Sequence, residues 1–375
     1  MRGTAKITEA SDCAADTAPV SWKISPYLHV ELDRVYDPLT DRLLVPGQRG
    51  FAKLQELYQS APSIHGPPDS IEEYLHQEGW LVDDAAEGSP RFFLKYVSFE
   101  ANTTCNQSCY FCPVSVNPRE PHFMPMDFYE EIVQQLTTYR ETIEGVSMIH
   151  YNEATVDKRF LDRIRLLRSY DLPPVVATNG TGMTPKRVDA IMQLGGLHYL
   201  CINLSTLDRE QYRKERGRNH LDLVLKNLEY MKDLEIAPQM EIAVLGIGDS
   251  NHRRDFDEIS ARFADSRFDV KYYEFMDRAG NMPIGMSSNR SDKRLCGCDQ
   301  TGSRPLQWVH ITPHGKCVLC AQDYYERYVV GDLTRETLHQ VLSGKRMALL
   351  RRWAYGVEEA PDDFICRYCI YARTR

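Results

Sequence analysis

The sequence lacks long apolar runs. Nothing in its 375 residues approaches the ~18 apolar residues of a membrane span, so no membrane association is expected. No apolar core follows a basic start behind Met1, which argues against a secretory signal and points to the cytoplasm. Positive charge is short as well. The formal net charge is −8, whereas a protein that grips a phosphate backbone needs a basic face, so no nucleic-acid partner is expected. No internal repeat is present. The eleven cysteines are odd in number and come without a signal, which argues against a disulfide framework and for metal ligation.

What is present is a pattern in those cysteines. Nine fall in tight groups: Cys105, Cys109 and Cys112; Cys296 with Cys298; Cys317 with Cys320; Cys366 with Cys369. Cys13 and Cys201 stand alone.

Three regions follow a tail of residues 1–20, whose Ala, Thr, Asp and Ser content reads as disordered. Residues 21–90 alternate through Tyr27–Leu32 and turn at Asp37-Pro38. A helix with Phe51, Leu54 and Leu57 on one face comes next. A second helix is expected from Ser70, boxed by Glu73, to Gly79, and then a strand at Trp80–Val82. Strands with two short helices suggest a small winged-helix-like module. Its twelve acidic against five basic residues do not suit DNA.

Residues 91–290 alternate strand and helix. Strands are expected at Phe92–Glu100, Val146–Tyr151, Pro174–Thr178, Leu197–Leu204, Met240–Leu245 and Val270–Phe275. Between them, Asp127 with Glu130 reads as a helix cap, Thr184-Pro185 as a start, and Asn219–Lys232 as a helix. Six βα units make an α/β fold with a parallel sheet, open or curled into a partial barrel. Chemistry in such folds sits at the C-terminal strand ends, where the first cysteine group falls. Residues 291–375 are Cys-rich. They show a hairpin, Leu306–Ile311 with Lys316–Cys320, and one helix over Thr334–Trp353.

Three thiolates in one short loop can each hold one iron of a [4Fe-4S] cube and leave the fourth iron open. The other reading is a three-Cys zinc site completed from elsewhere. The Cys-x3-Cys-x2-Cys spacing, with Tyr110-Phe111 before the last cysteine, resembles the radical S-adenosylmethionine (SAM) superfamily. That resemblance implies a partial (β/α)6 barrel, a [4Fe-4S] cluster held by Cys105, Cys109 and Cys112, and SAM on the open iron. Reductive cleavage of SAM then releases a 5′-deoxyadenosyl radical. It further implies adenine stacking at Tyr110 and Phe111. It places Asn152-Glu153 where the family has Gly-Gly-Glu-Pro, with the glycines missing and Tyr151 crowding the pocket. It also implies SAM contacts from Thr178-Asn179 and from Asn203 and Ser205.

Arg304-Pro305, His310-Ile311, Gly315, Cys320, Gly331-Asp332-Leu333 and Cys366-x2-Cys369 resemble the SPASM/twitch extension of that superfamily. The resemblance implies one auxiliary [4Fe-4S] cluster on Cys298, Cys320, Cys366 and Cys369, with Cys296 and Cys317 as alternatives. A zinc ribbon is the competing reading. Cys201 lies two residues before Asn203 on a strand, so both side chains should face inward, and its thiol is a candidate hydrogen-atom donor. Cys317 is a second candidate, and Glu274, Asp277 and Arg278 should line the mouth.

The N-terminal module also resembles the peptide-recognition element of enzymes that modify ribosomally made peptides. This implies a precursor-peptide substrate docked as an added strand. The alternative is an epimerase or dehydrogenase of a sugar carbon in an aminoglycoside or related carbohydrate. A non-catalytic zinc- or iron-binding protein is the reading of another class. The resemblance also implies a reductase or flavodoxin-type electron donor.

Overall fold

The computed structural model describes residues 20–60, 62–287 and 290–375. The expected tail and Cys13 lie outside them. The described residues up to Asp37, with Arg42–Glu87, form one compact unit; Pro38–Asp41 with Gly88–Arg375 form the other.

In the first unit Val20–Ile24 is the central strand of an antiparallel sheet, with Ser63–Gly66 and Leu81–Asp83 at its edges. His29–Glu31, Arg34–Asp37 and Arg42–Leu44 form a second, three-stranded meander. Helices Phe51–Ser60 and Ser70–Gln77 close a core of Trp22, Val35, Leu54, Leu75 and Trp80. The second helix is capped one residue earlier than expected. Asp69 accepts from the Ile71 and Glu72 amides, and Glu72 returns the bond to the Asp69 amide, so the box is Asp69/Glu72 and not Ser70/Glu73.

In the second unit the six expected strands form. They are β1 (Tyr96–Phe99), β2 (Gly145–Ser147), β3 (Pro174–Thr178), β4 (Tyr199–Asn203), β5 (Gln239–Gly246) and β6 (Asp269–Glu274), each parallel to the next. The hairpin strands β7 (Trp308–Ile311) and β8 (Lys316–Val318), with β9 (Val329–Asp332), continue the same sheet in the order β6-β5-β4-β3-β2-β1-β7-β8-β9. β7 runs parallel to β1, Trp308 opposite Tyr96, so the hairpin extends the barrel sheet. Leu200 and Ile202 are fully buried towards the helices, while Tyr199, Cys201 and Asn203 are only half-buried on the other, inner face.

Two helix expectations are corrected. Asp127 does not cap Met126–Leu136; Pro125 stands at that position and Asp127 sits in the first turn. The single helix over Thr334–Trp353 is two, Leu338–Ser343 and Lys345–Ala354, split at Gly344. A Thr337/Gln340 box starts the first, and a Cβ at Gly344 would meet the Gln340 carbonyl oxygen at 2.6 Å. Among the described residues no helix is long and apolar enough to cross a membrane.

Candidate active site and auxiliary thiol site

The loop after β1 is held in place mainly by bonds between groups other than its thiols. Asn102 Oδ1 accepts from the amide and hydroxyl of Thr104, both at 2.9 Å. Thr103 Oγ1 donates to the Glu120 carbonyl at 2.7 Å. The Ser108 and Tyr110 amides donate to the carbonyls of Arg216 and Glu215 at the end of helix Arg209–Arg216. The helix stops at Gly217, in a left-handed conformation (φ 65°), where a Cβ would press on Ser108 at 3.0 Å.

Burial pushes the Cys105 thiol up to about 12, with Glu153, Cys109 and Cys112 adding to it. Cys112 is raised for the same first reason. Three thiolates here need a cation, and iron supplies one. Arg216, absent from the sequence reading, is the one guanidinium bonded at this site. Its Nη1 lies 3.8 Å from Cys109 Sγ and its Nη2 donates to Asn203 Oδ1 at 2.7 Å and to Ser205 Oγ. It is 2% exposed and its Nε has no partner. A buried guanidinium with a spare N–H beside thiolates is set to receive an anion such as a carboxylate. An Arg-Gly pair at a helix end was the available signal.

The other expected SAM contacts divide. Glu153 takes the hydroxyls of Thr155 and Thr178 on one oxygen, each at 2.6 Å, and the Asn179 amide on the other at 2.8 Å. Asn179 Nδ2 donates to Asn106 Oδ1 of the cysteine loop at 2.8 Å. Glu153, Thr178 and Asn179 thus tie the β2 and β3 ends to the loop. Asn152 folds back on the turn after β2, its side chain accepting from the His150 amide and donating to the Met148 carbonyl. Tyr151 donates its hydroxyl to the Ala321 carbonyl and its amide to Glu100. Glu100, fully buried, is held by both Nη atoms of Arg119, a pair with no local signal in the sequence. Phe111 stacks on Phe275 at 4.3 Å, with Arg216 4.9 Å from its ring centre. Tyr110 is more exposed. Phe111, Tyr273, Glu274, Phe275, Arg278 and Tyr371 line a cavity of about 390 Å³, while Asp277 is buried away from it.

Cys298, Cys320, Cys366 and Cys369 line a second cavity with Arg304, whose Nη1 is 3.5 Å from Cys320 Sγ. Burial raises Cys366, and the other three thiols lining the same cavity add to it. Cys296 instead feels the charges of Arg373, on the strand Ala372–Thr374, and of Arg375 just after it. Cys317 is fully buried opposite Ile311, on the helix-covered face of the sheet. It does not line the cavity that the four other C-terminal thiols share, because strand alternation turns it away. All ten described cysteines are free. Among the described residues no three His, Cys, Asp or Glu side chains close on a single ion. A four-iron cube takes one thiolate per iron, and the two thiol groups fit that use.

Three thiols at the mouth of a six-stranded parallel partial barrel, and four more behind an added hairpin, define an iron–sulfur enzyme of radical chemistry. Residues 100–259 match the Radical SAM superfamily, and residues 298–370 match an iron–sulfur cluster-binding domain, SPASM. The chain carries a radical SAM domain and a SPASM domain and is an enzyme, which sets aside the non-catalytic zinc or iron reading. Its cofactors are a [4Fe-4S] cluster with SAM, and auxiliary iron–sulfur. Such enzymes need an electron donor and a substrate. A probable GTP 3′,8-cyclase from Pyrococcus horikoshii is 31% identical over 146 residues, 39% of this chain and 46% of that protein. An S-adenosyl-L-methionine-dependent 2-deoxy-scyllo-inosamine dehydrogenase from Niallia circulans is 30% identical over 103 residues, 26% of this chain and 40% of that one. The chain thus spans less than half the length of these curated relatives. Streptococcus suis SuiB bound to its precursor peptide SuiA shares the fold, with TM-score 0.56 and 12% identity over 87% of this chain and 89% of that one.

Proposed function

We propose that this enzyme abstracts a hydrogen atom from a residue of a ribosomally made peptide, in natural-product biosynthesis. The observation that carries the reading is the separate first unit, residues 20–87 apart from the short turn at Pro38–Asp41. Its sheet has two short edge strands, Ser63–Gly66 and Leu81–Asp83, and an edge strand can accept a leader peptide as a further strand. We take residues 21–90 as that winged-helix-like recognition module, 91–290 as the barrel and 291–375 as the auxiliary-cluster region. SuiB, of like fold, holds a precursor peptide, and the reading carries that class of ligand over to this chain.

Bound at Cys105, Cys109 and Cys112, the cluster with SAM supplies the deoxyadenosyl radical. Arg216, with Asn203 and Ser205, holds the SAM carboxylate; Glu153 keeps the β2 and β3 turns in place around it. Phe111 and Tyr110 flank the adenine. One auxiliary [4Fe-4S] cluster sits on Cys298, Cys320, Cys366 and Cys369. A reductase or flavodoxin-type donor in the cytoplasm feeds the electrons.

After abstraction, Cys201 returns a hydrogen atom to the substrate carbon from the inner face. The thiol becomes a thiyl radical, which an electron from the donor and a solvent proton restore. Burial and the Glu241 charge push the Cys201 thiol up to about 12, so it stays an S–H group at neutral pH. A second reading, oxidation or epimerisation of a sugar carbon, is favoured by the single set of four C-terminal thiols: an oxidised iron–sulfur cluster held there would accept the electron that a substrate radical gives up on oxidation.

Turnover of candidate precursor peptides and amino sugars by the reconstituted enzyme in D2O tests both. Deoxyadenosine with a peptide carrying one deuterium is the expected result. A peptide two mass units lighter, without deuterium, overturns hydrogen return. Turnover of the sugar and not the peptide overturns the peptide reading.

A further inference from the structure

The inner face of the barrel carries a carboxylate that is ion-paired with no cation among the described residues. Glu241 on β5 stands beside Cys201 on β4 in parallel register, and its Oε1 lies 3.9 Å from the Cys201 thiol. It is 8% exposed. Two phenols on the neighbouring strands feel its charge, Tyr199 on β4 and Tyr273 on β6. Burial first, and then the Cys201 and Glu241 charges, push the Tyr199 hydroxyl up; burial and the nearby Glu241 carboxylate do the same for Tyr273. Both therefore stay neutral donors, and the carboxylate stays without counter-charge. Among the described residues no Lys, Arg or His is ion-paired with Glu241. Lys271 feels its charge, but the Lys271 ammonium is paired with Asp269.

A buried carboxylate that only neutral groups partner is costly, and a cation relieves it. Two tyrosine rings beside a carboxylate are also the surroundings an ammonium favours. The site is reachable: Tyr273 is 43% exposed and lines the cavity that Phe111 and Arg278 share. Cys201 and Tyr199 are partly accessible on the same face.

We propose that Glu241, Tyr199 and Tyr273 form a subsite for a cationic group of the substrate, an ammonium set beside the Cys201 thiol. This rests on the proposed function and narrows its substrate class. A lysine side chain of a peptide and an amino group of a sugar share that chemistry. Placing the charge on Glu241 puts carbons near it within reach of the thiol, which is where a returned hydrogen atom is needed.

The test is binding and needs no turnover. Reconstituted enzyme with SAM is dialysed against two pairs of probes: Nα-acetyl-lysine amide with its Nε-acetylated form, and 2-deoxystreptamine with its N-acetylated form. A charge-assisted contact predicts that at least one cationic probe binds about ten-fold or more tighter than its neutral partner. The member that does so tells peptide from sugar. Glu241→Gln should abolish the preference, while Glu241→Asp, which keeps the charge, should retain part of it; iron content and SAM binding check that both variants are folded. Equal binding of charged and neutral probes, no binding of either cation at millimolar concentration, or an undiminished preference in Glu241→Gln overturns the subsite. Because only binding is read, these results leave the radical reaction standing. A failure of wild-type enzyme to modify peptide or sugar strikes the proposed function instead.

Discussion

The two thiol sites of this protein are built in opposite ways. Cys105, Cys109 and Cys112 come from one loop of eight residues, braced by backbone bonds to the end of a single helix. Cys298, Cys320, Cys366 and Cys369 come from segments spread over 72 residues, and only folding brings them to one cavity. Three thiols leave one iron of a cube open to a ligand, and four close it. The first arrangement suits chemistry at the metal, the second suits holding or passing an electron. Each has one arginine against a thiol, Arg216 on Cys109 and Arg304 on Cys320. Only Arg216 also reaches side chains at the end of β4, Asn203 and Ser205, the side on which we propose that SAM binds.

The strongest way to break this comparison is to remove one site at a time. Changing Cys105, Cys109 and Cys112 to Ala should abolish deoxyadenosine formation and lower iron from about eight to about four per chain, as expected for two four-iron clusters. Full SAM cleavage by that variant would refute the assignment of the open site. Removing Cys366 and Cys369 should leave SAM cleavage measurable while the second set of irons is lost and substrate turnover collapses. Zinc recovered from the C-terminal site of wild-type protein by elemental analysis would show that the two sites differ in metal and not only in ligand number.

A smaller effect separates the two arginines. Arg216→Ala should retain its iron yet bind SAM roughly ten- to a hundred-fold more weakly, the range for a lost charge-assisted hydrogen bond. Arg216→Lys should recover part of that. Equilibrium binding of SAM checks it, and equal weakening by Arg304→Ala would erase the distinction between the sites. The smallest effect concerns the thiol outside both. With its thiol pushed up to about 12, Cys201 should react far more slowly with iodoacetamide at pH 8 than an ordinary thiol, and faster as pH rises towards 12, because only the thiolate attacks. Peptide mapping after alkylation reads this directly. Rapid labelling at pH 8 would show that Glu241 does not hold the proton on Cys201.

Much of the second unit was legible because its signals are local. Six short apolar strands with helices between them announce a parallel sheet, and Pro174–Thr178 has the same limits in the sequence reading and in the structure. Helix ends were less secure. Asp69, not Ser70, caps its helix because its carboxylate reaches two amides, and such a choice between neighbouring cap residues is made by backbone angle. Thr337 and Gln340 were a readable box, overlooked because the apolar pattern runs on across Gly344.

By itself the sequence determined the grouping of three thiols: cysteines within eight residues cannot be far apart in any fold, and the resemblance of their spacing to the radical SAM pattern named the chemistry. Strand alternation likewise put Cys201 on the same face as Asn203. Tertiary structure alone decided the rest. It placed Cys298, and not Cys296 or Cys317, in one cavity with Cys320, Cys366 and Cys369. It brought Arg216 to Cys109, and it set Glu241 from one strand between tyrosines of its two neighbours. These are relations between residues distant along the chain. They depend on strand register and on which face is buried, and no local pattern encodes either.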